Sequence, residues 1–490
     1  MLERRQLGAP TLFVLAISAS SPLTVLGGGI PATLAATGVI AVAVSFPLLS
    51  VMLAALAVGY TAAVKAMAHA PAGRRSPAIS APGYALWTTG FGRVFGPAGG
   101  LLGVVGYSAI GISLYGLFGW YMALFHVGGW QLWSWVALAV VTVYGFLPAR
   151  ATTVTVAAVF IGQVAVIVVY LVAAFTHPAA GAVSSAAVDF GQVFAGGFLV
   201  VFPLSLAAFI GWEGVAAYSA EARTPRSVGR AIHLGVWFLA GLFLLLAWAV
   251  VTGYGEDTVV DAARNPNGGV PFGLLARAVG PAAEVIAGLV VVLAVFTAML
   301  AFHQTATRHW FAMSQEHLLP AALRAVTTRA HRTIPTGGAL TQTVLTAAVL
   351  AGFQLAGADP IATMFTWLSA IGALTVLVLL IGAALAAVGY FHRGGGTNET
   401  LWTRTIAPVA GAGTVVTGLL LWRLPVQLNT TGDDHHWLLV PAVTATCLIG
   451  GTVWGALVRR LRPATFQQLG QAQPGALEVP EERLAKYLAK

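Results

Sequence analysis

Apolar positions in this chain gather into about twelve blocks, each about long enough to cross a bilayer as a helix, which takes ~20 residues. They cover approximately 11–38, 40–66, 98–126, 130–148, 153–176, 193–220, 230–254, 282–308, 335–356, 359–389, 403–424 and 437–458. Polar residues collect between the blocks, the longest such pieces lying near 255–281 and 461–490. Neither is large enough for a separate enzymatic domain. Composition agrees with the pattern. Charged residues make up 8% of the chain, hydrophobic residues 58%, and mean hydropathy is +0.84, whereas globular proteins carry about 25% charged residues. The prediction is an all-α membrane protein of about twelve transmembrane helices, one membrane domain without a soluble module.

Charge supplies the orientation. With both termini cytoplasmic and the spans alternating, 22 of the 25 Lys and Arg residues fall inside, and only Arg264, Arg277 and Arg423 fall outside. Acidic residues divide eight outside and seven inside, leaving Glu213 in the membrane. This is the positive-inside bias. The net charge of +9 therefore reflects orientation and contact with anionic lipid, not nucleic-acid binding. The single cysteine, Cys447, permits no intrachain disulfide. The start Met1-Leu2-Glu3-Arg4-Arg5 resembles a signal peptide. The apolar run behind it is too long, however, and carries Ser20-Ser21-Pro22 in its middle, so an uncleaved first helix is expected.

Two spans are interrupted. In the first, Pro22 has no N–H for the carbonyl of Ser18, and Pro31 has none for that of Gly27. Ser20, Ser21 and Thr24 place hydroxyls beside this exposed backbone, and Gly27 and Gly28 are hinge candidates. The sixth span holds Pro203 and then Phe209-Ile210-Gly211-Trp212-Glu213-Gly214. Here a lone carboxylate sits between helix-weakening glycines, Gly214 being a further hinge candidate. A charge at mid-bilayer costs at least a few kcal/mol and usually marks a pathway or a partner. The interrupted spans are five helices apart. A five-helix unit has odd parity, so a second copy is inverted, and paired interruptions point to an inverted-repeat transporter with a midplane site. Half-helix N-termini suit a carboxylate and freed carbonyls an ammonium or cation, so an α-amino acid zwitterion matches both.

These residues carry a resemblance to a known family. Ser18-Ala19-Ser20-Ser21-Pro22-Leu23-Thr24 with Gly28-Gly29-Ile30-Pro31 resembles helix 1 of an actinobacterial-type branch of the amino acid–polyamine–organocation superfamily of permeases. Phe209 to Glu213, with Glu221-Ala222-Arg223-Thr224-Pro225-Arg226, is similar to its helix 6 and the loop that follows. Ala301-Phe302-His303-Gln304, Arg308 and Phe311 to Pro320 resemble the end of helix 8; Asp359-Pro360 and Phe365-Thr366-Trp367-Leu368-Ser369 resemble the start of helix 10. The resemblance covers most of 1–460 and implies a leucine-transporter-like five-plus-five repeat. Residues 1–390 would form the transport core, 391–460 two additional helices and 461–490 a cytoplasmic tail. It also implies substrate contacts at Ser20, Ser21, Pro22, Leu23 and Thr24 and at Phe209, Ile210, Gly211, Trp212 and Glu213, with Trp212 or Phe209 as an aromatic gate. Two departures stand out. Ser-Ser-Pro replaces a Gly-Ser-Gly type of break, and Val154 to Ala173 holds no lysine of the kind that fills a cation site in some proton-coupled members. Gln163 is the strongly polar residue there.

Among single residues, Glu213 is the candidate for proton or amine recognition. Glu221 reads as an inner-surface partner of Arg223 or Arg226, or as an inward relay. His303 reads as the one histidine clearly inside a span, with a pH-linked or a structural role. Tyr107, Ser108 and Gly111 of helix 3 and Trp367 and Ser369 of helix 10 are candidate site linings. Trp87, Trp120, Trp130, Trp133 and Trp135 are expected in interfacial belts. Asp433-Asp434-His435-His436 reads as a solvated external loop, and no metal or cofactor is expected. The expectation is a secondary transporter of the cytoplasmic membrane that moves an amino acid or related amine. Coupling to protons, or to sodium, stands against obligatory exchange. An intramembrane enzyme would need a nucleophile–base or metal set, and a channel charged or carbonyl-lined rings from repeated subunits.

Overall fold

The computed structural model describes residues 7–68, 81–125, 128–147, 149–194, 198–219, 222–265, 269–329, 332–396, 399–421 and 438–470. Glu221, Arg423 and the run Asp433 to His436 lie outside them. The described chain is almost entirely helical, as a bilayer demands, because hydrocarbon offers no partner for an unpaired backbone group. Its main helices are α1 (Ala9–Ser20), α2 (Ile30–Thr37), α3 (Val42–Ala68), the short α4 (Pro82–Leu86), α5 (Gly96–Ala123), α6 (Trp130–Gly145), α7 (Ala149–Thr176) and α8 (Phe202–Phe209). There follow α9 (Pro225–Tyr254), α10 (Pro281–Gln315), α11 (Thr336–Leu355), α12 (Thr366–His392), α13 (Ala407–Leu421), α14 (Leu439–Leu461) and the short α15 (Pro463–Gln468). A small antiparallel hairpin pairs Thr327–Arg329 with Arg332–Ile334.

Among the described residues nine helices are long and apolar enough to cross a membrane. The other three expected spans correspond to shorter elements: α6, the interrupted segment from Phe202 to Tyr218, and α13. Helix α5 is the centre of the bundle, with 83% of its apolar window buried against 28% for α11 and for α14. It packs on α10, α12 and α14, while α3 packs on α9 and α13.

Lipid tails give helices no hydrophobic reason to associate, so close packing over small residues does that work. On α14, Gly451 and Gly455 lie one turn apart against the start of α5. An added Cβ would fall 2.4 Å from the Cα of Ala98 at the first and 2.0 Å from the carbonyl oxygen of Val94 at the second. Trp87 corrects an expectation. It is 4% exposed, its Nε1 donates to the Leu379 carbonyl at 3.0 Å, and its ring covers Gly382 of α12. The stretch 82–91 folds back into the bundle, which removes this indole from any interfacial belt. Trp120 and Trp135, by contrast, are 38% and 39% exposed.

Several chain segments meet at one end of the bundle. The Arg223 N–H donates to the Leu7 carbonyl at 2.9 Å, Arg393 reaches the Thr89 carbonyl at 3.1 Å, and Arg93 reaches that of Leu469 at 3.0 Å. We call this the basic end. At the opposite end Arg264 donates to the Ala35 carbonyl at 3.1 Å, and Arg277 lies 4.7 Å from the ring centroid of Tyr254.

The α14 contact yields a prediction. Gly455→Leu drives a side chain into Val94 backbone that cannot recede, and overpacking of this kind costs about 1–3 kcal/mol. The purified protein should melt several degrees lower by tryptophan fluorescence, whereas Gly450→Leu, whose Cβ would meet nothing within 4 Å, should melt as the parent does.

Candidate functional site

The two interruptions meet. Helix α1 stops because Ser21 takes left-handed backbone angles (φ 44°, ψ 75°) and its N–H turns back to the carbonyls of Ile17 and Ser18. Pro22, lacking an N–H, opens the next turn, and the hydroxyls of Ser21 and Thr24 pair at 2.6 Å. After a wide turn over Val25–Gly29, the Gly27 carbonyl that Pro31 cannot serve accepts from the Tyr121 hydroxyl at 3.3 Å. In the sixth span α8 stops at Phe209. Ile210 is extended (ψ 132°), Gly211 has φ 122°, and a 3₁₀ helix runs over Trp212–Tyr218. The Ser20 hydroxyl donates to the Phe209 carbonyl at 3.0 Å, which ties one break to the other. Gly211 is required both by its φ and by space, since a Cβ there would lie 2.7 Å from the carbonyl carbon of Ala19.

Glu213 is 1% exposed. Its carboxylate folds back so that Oε2 accepts the Gly211 N–H at 2.9 Å, while Oε1 accepts the Tyr107 hydroxyl at 3.2 Å. The break thus supplies a backbone donor to the acid, and α5 supplies a second. A cavity of about 10 Å³ lies beside it, lined by Tyr60, Tyr107, Glu213, Gly214, Thr305 and His309 among others. That is room for about one water. Pro82 and Gly83 of α4 and Leu379 and Leu380 of α12 also line it.

The structure brings together Ser20, the Phe209 carbonyl, Gly211, Glu213, Gly214 and Tyr107. Pro22, Leu23, Ile210 and Trp212 are buried close by in sequence, and Gly28 has open space beside it. Other expected linings face elsewhere. Ser108 donates to Gln342 of α11 at 2.8 Å, and Gly111 lies against Phe302. Ser369 donates to Ser113 at 2.8 Å, and Trp367 packs against a small cluster of Ala109, Ile371 and Val440. The Phe209 ring stacks with Phe46 and Phe243, at 6.1 and 5.4 Å between centroids. Gln163 is fully buried, with no partner for its amide among the described residues.

His303 is not the histidine at Glu213: its Nε2 lies 3.0 Å from where Gly145 of α6 would carry a Cβ. Nor is it the one histidine inside a helix. His309 is 3% exposed in the same helix α10, beyond the apolar block that hydropathy ended at 308. Six residues turn a helix through about 600°, so the two rings point about 120° apart, and His309 faces Gly103 and Tyr107 of α5. A signal was present in the sequence: the polar run Thr305 to His309 continues the helix with histidine one turn beyond Thr305.

A second buried acid lies just past α10. Glu316, 2% exposed, accepts the hydroxyl of Tyr84 from α4 and the Gly470 N–H at 3.1 Å. Burial pushes its carboxyl up to about 7, against the opposing effect of those two donors and of Arg93. Among the described residues no three His, Cys, Asp or Glu side chains gather as a metal site. A cavity of about 530 Å³ between His177, Tyr254, Thr258 and Arg277 lies at the opposite end, away from both breaks.

A multi-helix membrane protein with two touching helix breaks and a capped acid between them is the kind of molecule in hand. The chain belongs to the amino acid permease family, whose pattern matches residues 7–448, within the amino acid–polyamine–organocation superfamily. No curated protein matches it.

Two outcomes follow from this geometry. Gly211→Ala puts a Cβ into Ala19 at a φ that L residues avoid, so it should destabilise the protein by at least ~1–3 kcal/mol, read as a lowered melting temperature. For Glu316, folding holds the proton more tightly than the free acid does. The arrangement that buries it, in which burial outweighs two donors that favour the charge, should therefore be most stable below the ordinary carboxylate range and lose stability as pH rises through about 7. Hydrogen-exchange protection of 463–470, corrected for intrinsic rates, should fall accordingly, and Glu316→Gln should abolish the trend.

Proposed function

We propose that this permease carries an amino acid or related amine across the cytoplasmic membrane by alternating access, driven by protons through Glu213. One observation carries the reading: the buried carboxylate of Glu213 sits at a helix break whose own N–H caps it, and the first helix's break is bonded to the same spot. An amino acid has one carboxylate and one ammonium, and paired helix breaks offer backbone N–H groups and carbonyls together. The family points to a transporter rather than an enzyme.

The site is closed as it stands, since the cavity beside Glu213 holds about one water. An amino acid reaches it only if the bundle opens toward one end and then toward the other. The excess of Lys and Arg on one set of loops supports a cytoplasmic basic end, with both termini inside. The five-plus-five repeat accords with interruptions in spans one and six.

Proteoliposomes loaded with buffer and given an equimolar radiolabelled L-amino-acid mixture test the proposal. An inward proton gradient should drive accumulation, and Glu213→Gln should cut that accumulation by about tenfold or more, the equivalent of ~1.4 kcal/mol of coupling. Uptake seen only in vesicles preloaded with the unlabelled mixture, indifferent to the proton gradient and unchanged by Glu213→Gln, would instead select obligatory exchange. A parallel sodium gradient separates the remaining driving ion.

A further inference from the structure

Proton coupling through Glu213 leaves the nearby His309 without a role. His309 is buried in α10, and its Nδ1 lies 2.9 Å from the Thr305 carbonyl. A carbonyl only accepts, so Nδ1 carries the hydrogen and the neutral ring presents a bare Nε2. That Nε2 is buried and has no partner among the described residues. An imidazole nitrogen without a partner in hydrocarbon is costly unless something polar meets it.

The cavity of about 10 Å³ is lined by His309 and Glu213 alike, and its size is that of a single water. Its other polar linings are the hydroxyls of Tyr60, Tyr107 and Thr305, so a water there would find the two to four partners it needs. The His309 ring lies 5.2 Å from that of Tyr107 between centroids, and Tyr107 itself donates to Glu213. From these contacts we infer that Glu213 and His309 form one proton-sharing pair, bridged by a single water, with Nε2 of His309 as the second proton station. This rests on the proton-driven reading and extends it to a second residue.

The step balances simply. The carboxylic acid of Glu213 gives its proton to the water, the water gives one of its own to Nε2, and the products are a carboxylate and an imidazolium. Either form of the pair with one proton is neutral overall, which spares the membrane an isolated charge. The groups that face the pair are few. Among the described residues that line the cavity, Tyr60 comes from α3, Tyr107 from α5, and α4 and α12 contribute Pro82, Gly83, Leu379 and Leu380. On α10 itself, Arg308 stacks 3.9 Å from the Tyr218 ring centroid, and His303 lies against Gly145.

Two measurements on the full chain test the pair. In ¹⁵N-histidine-labelled protein in nanodiscs, the His309 signals are assigned by their loss in His309→Gln. They should show the Nδ1-protonated tautomer, and Glu213→Gln should displace the His309 titration by about one pH unit or more, tenfold in proton affinity. In proteoliposomes with the same L-amino-acid mixture, folded His309→Gln should lose accumulation driven by the proton gradient by about tenfold or more. His303→Gln should keep both that accumulation and counterflow. An unmoved His309 titration in folded Glu213→Gln overturns the pair, even where proton-driven uptake holds in the parent. Full gradient-driven accumulation in His309→Gln overturns it too. A coupled titration in a parent that accumulates nothing under a proton gradient has the opposite meaning: the symport reading falls and the shared proton stands.

Discussion

A single hydrogen bond, from the Ser20 hydroxyl to the Phe209 carbonyl at 3.0 Å, joins two helices at the points where each loses its own ladder. In water such a bond would contribute little. In a bilayer the carbonyl that a broken helix leaves behind has no solvent to fall back on, and each unpaired group costs several kcal/mol. The two breaks can therefore exist only because each repairs the other or finds repair close at hand. Tyr121 does the same for Gly27, Ser21 for Ile17 and Ser18, and the Glu213 carboxylate for the Gly211 N–H. Position, chirality and size all converge on Gly211, whose φ of 122° lets the chain reverse with Ala19 close against it.

The acid belongs to that repair. A carboxylate in the membrane is tolerated when donors surround it, and Glu213 has one from the backbone break and one from Tyr107 of the central helix. Structural and functional roles are thus not alternatives at this residue. The group that completes the break is also the group whose protonation would alter it, because a protonated carboxyl trades one of its acceptor positions for a donor.

How much of this was legible in the sequence depends on whether the signal was local. The membrane spans, the two breaks and Glu213 were legible, because Pro, Gly and a lone charge act on their own backbone within a turn or two. Tyr107 was legible only as one of several linings, for a helix 3 position gives no hint of which face meets residue 213. Ser108, Gly111, Ser369 and Trp367 follow the same rule in reverse: their faces turn to α11, α10, α5 and the small cluster near Val440. His309 was missed because hydropathy ends a span where polarity begins, while α10 continues to Gln315. Trp87 was misplaced because nothing local shows that a short helix ahead of a span tucks inward.

Helix α4 connects the two buried acids. Its Pro82 and Gly83 line the cavity beside Glu213, and the next residue, Tyr84, donates to Glu316 at the end of α10. Glu316 in turn holds Gly470, and Arg93, just after this stretch, holds Leu469. One peptide unit separates Gly83 from Tyr84, so the lining of the Glu213 cavity and the Glu316 contact are covalently adjacent on one short helix, and neither can shift far without the other. The two buried acids are thus tied through α4, one by cavity lining and the other by a hydrogen bond, and in each case donors offset the desolvation that burial imposes on the carboxyl.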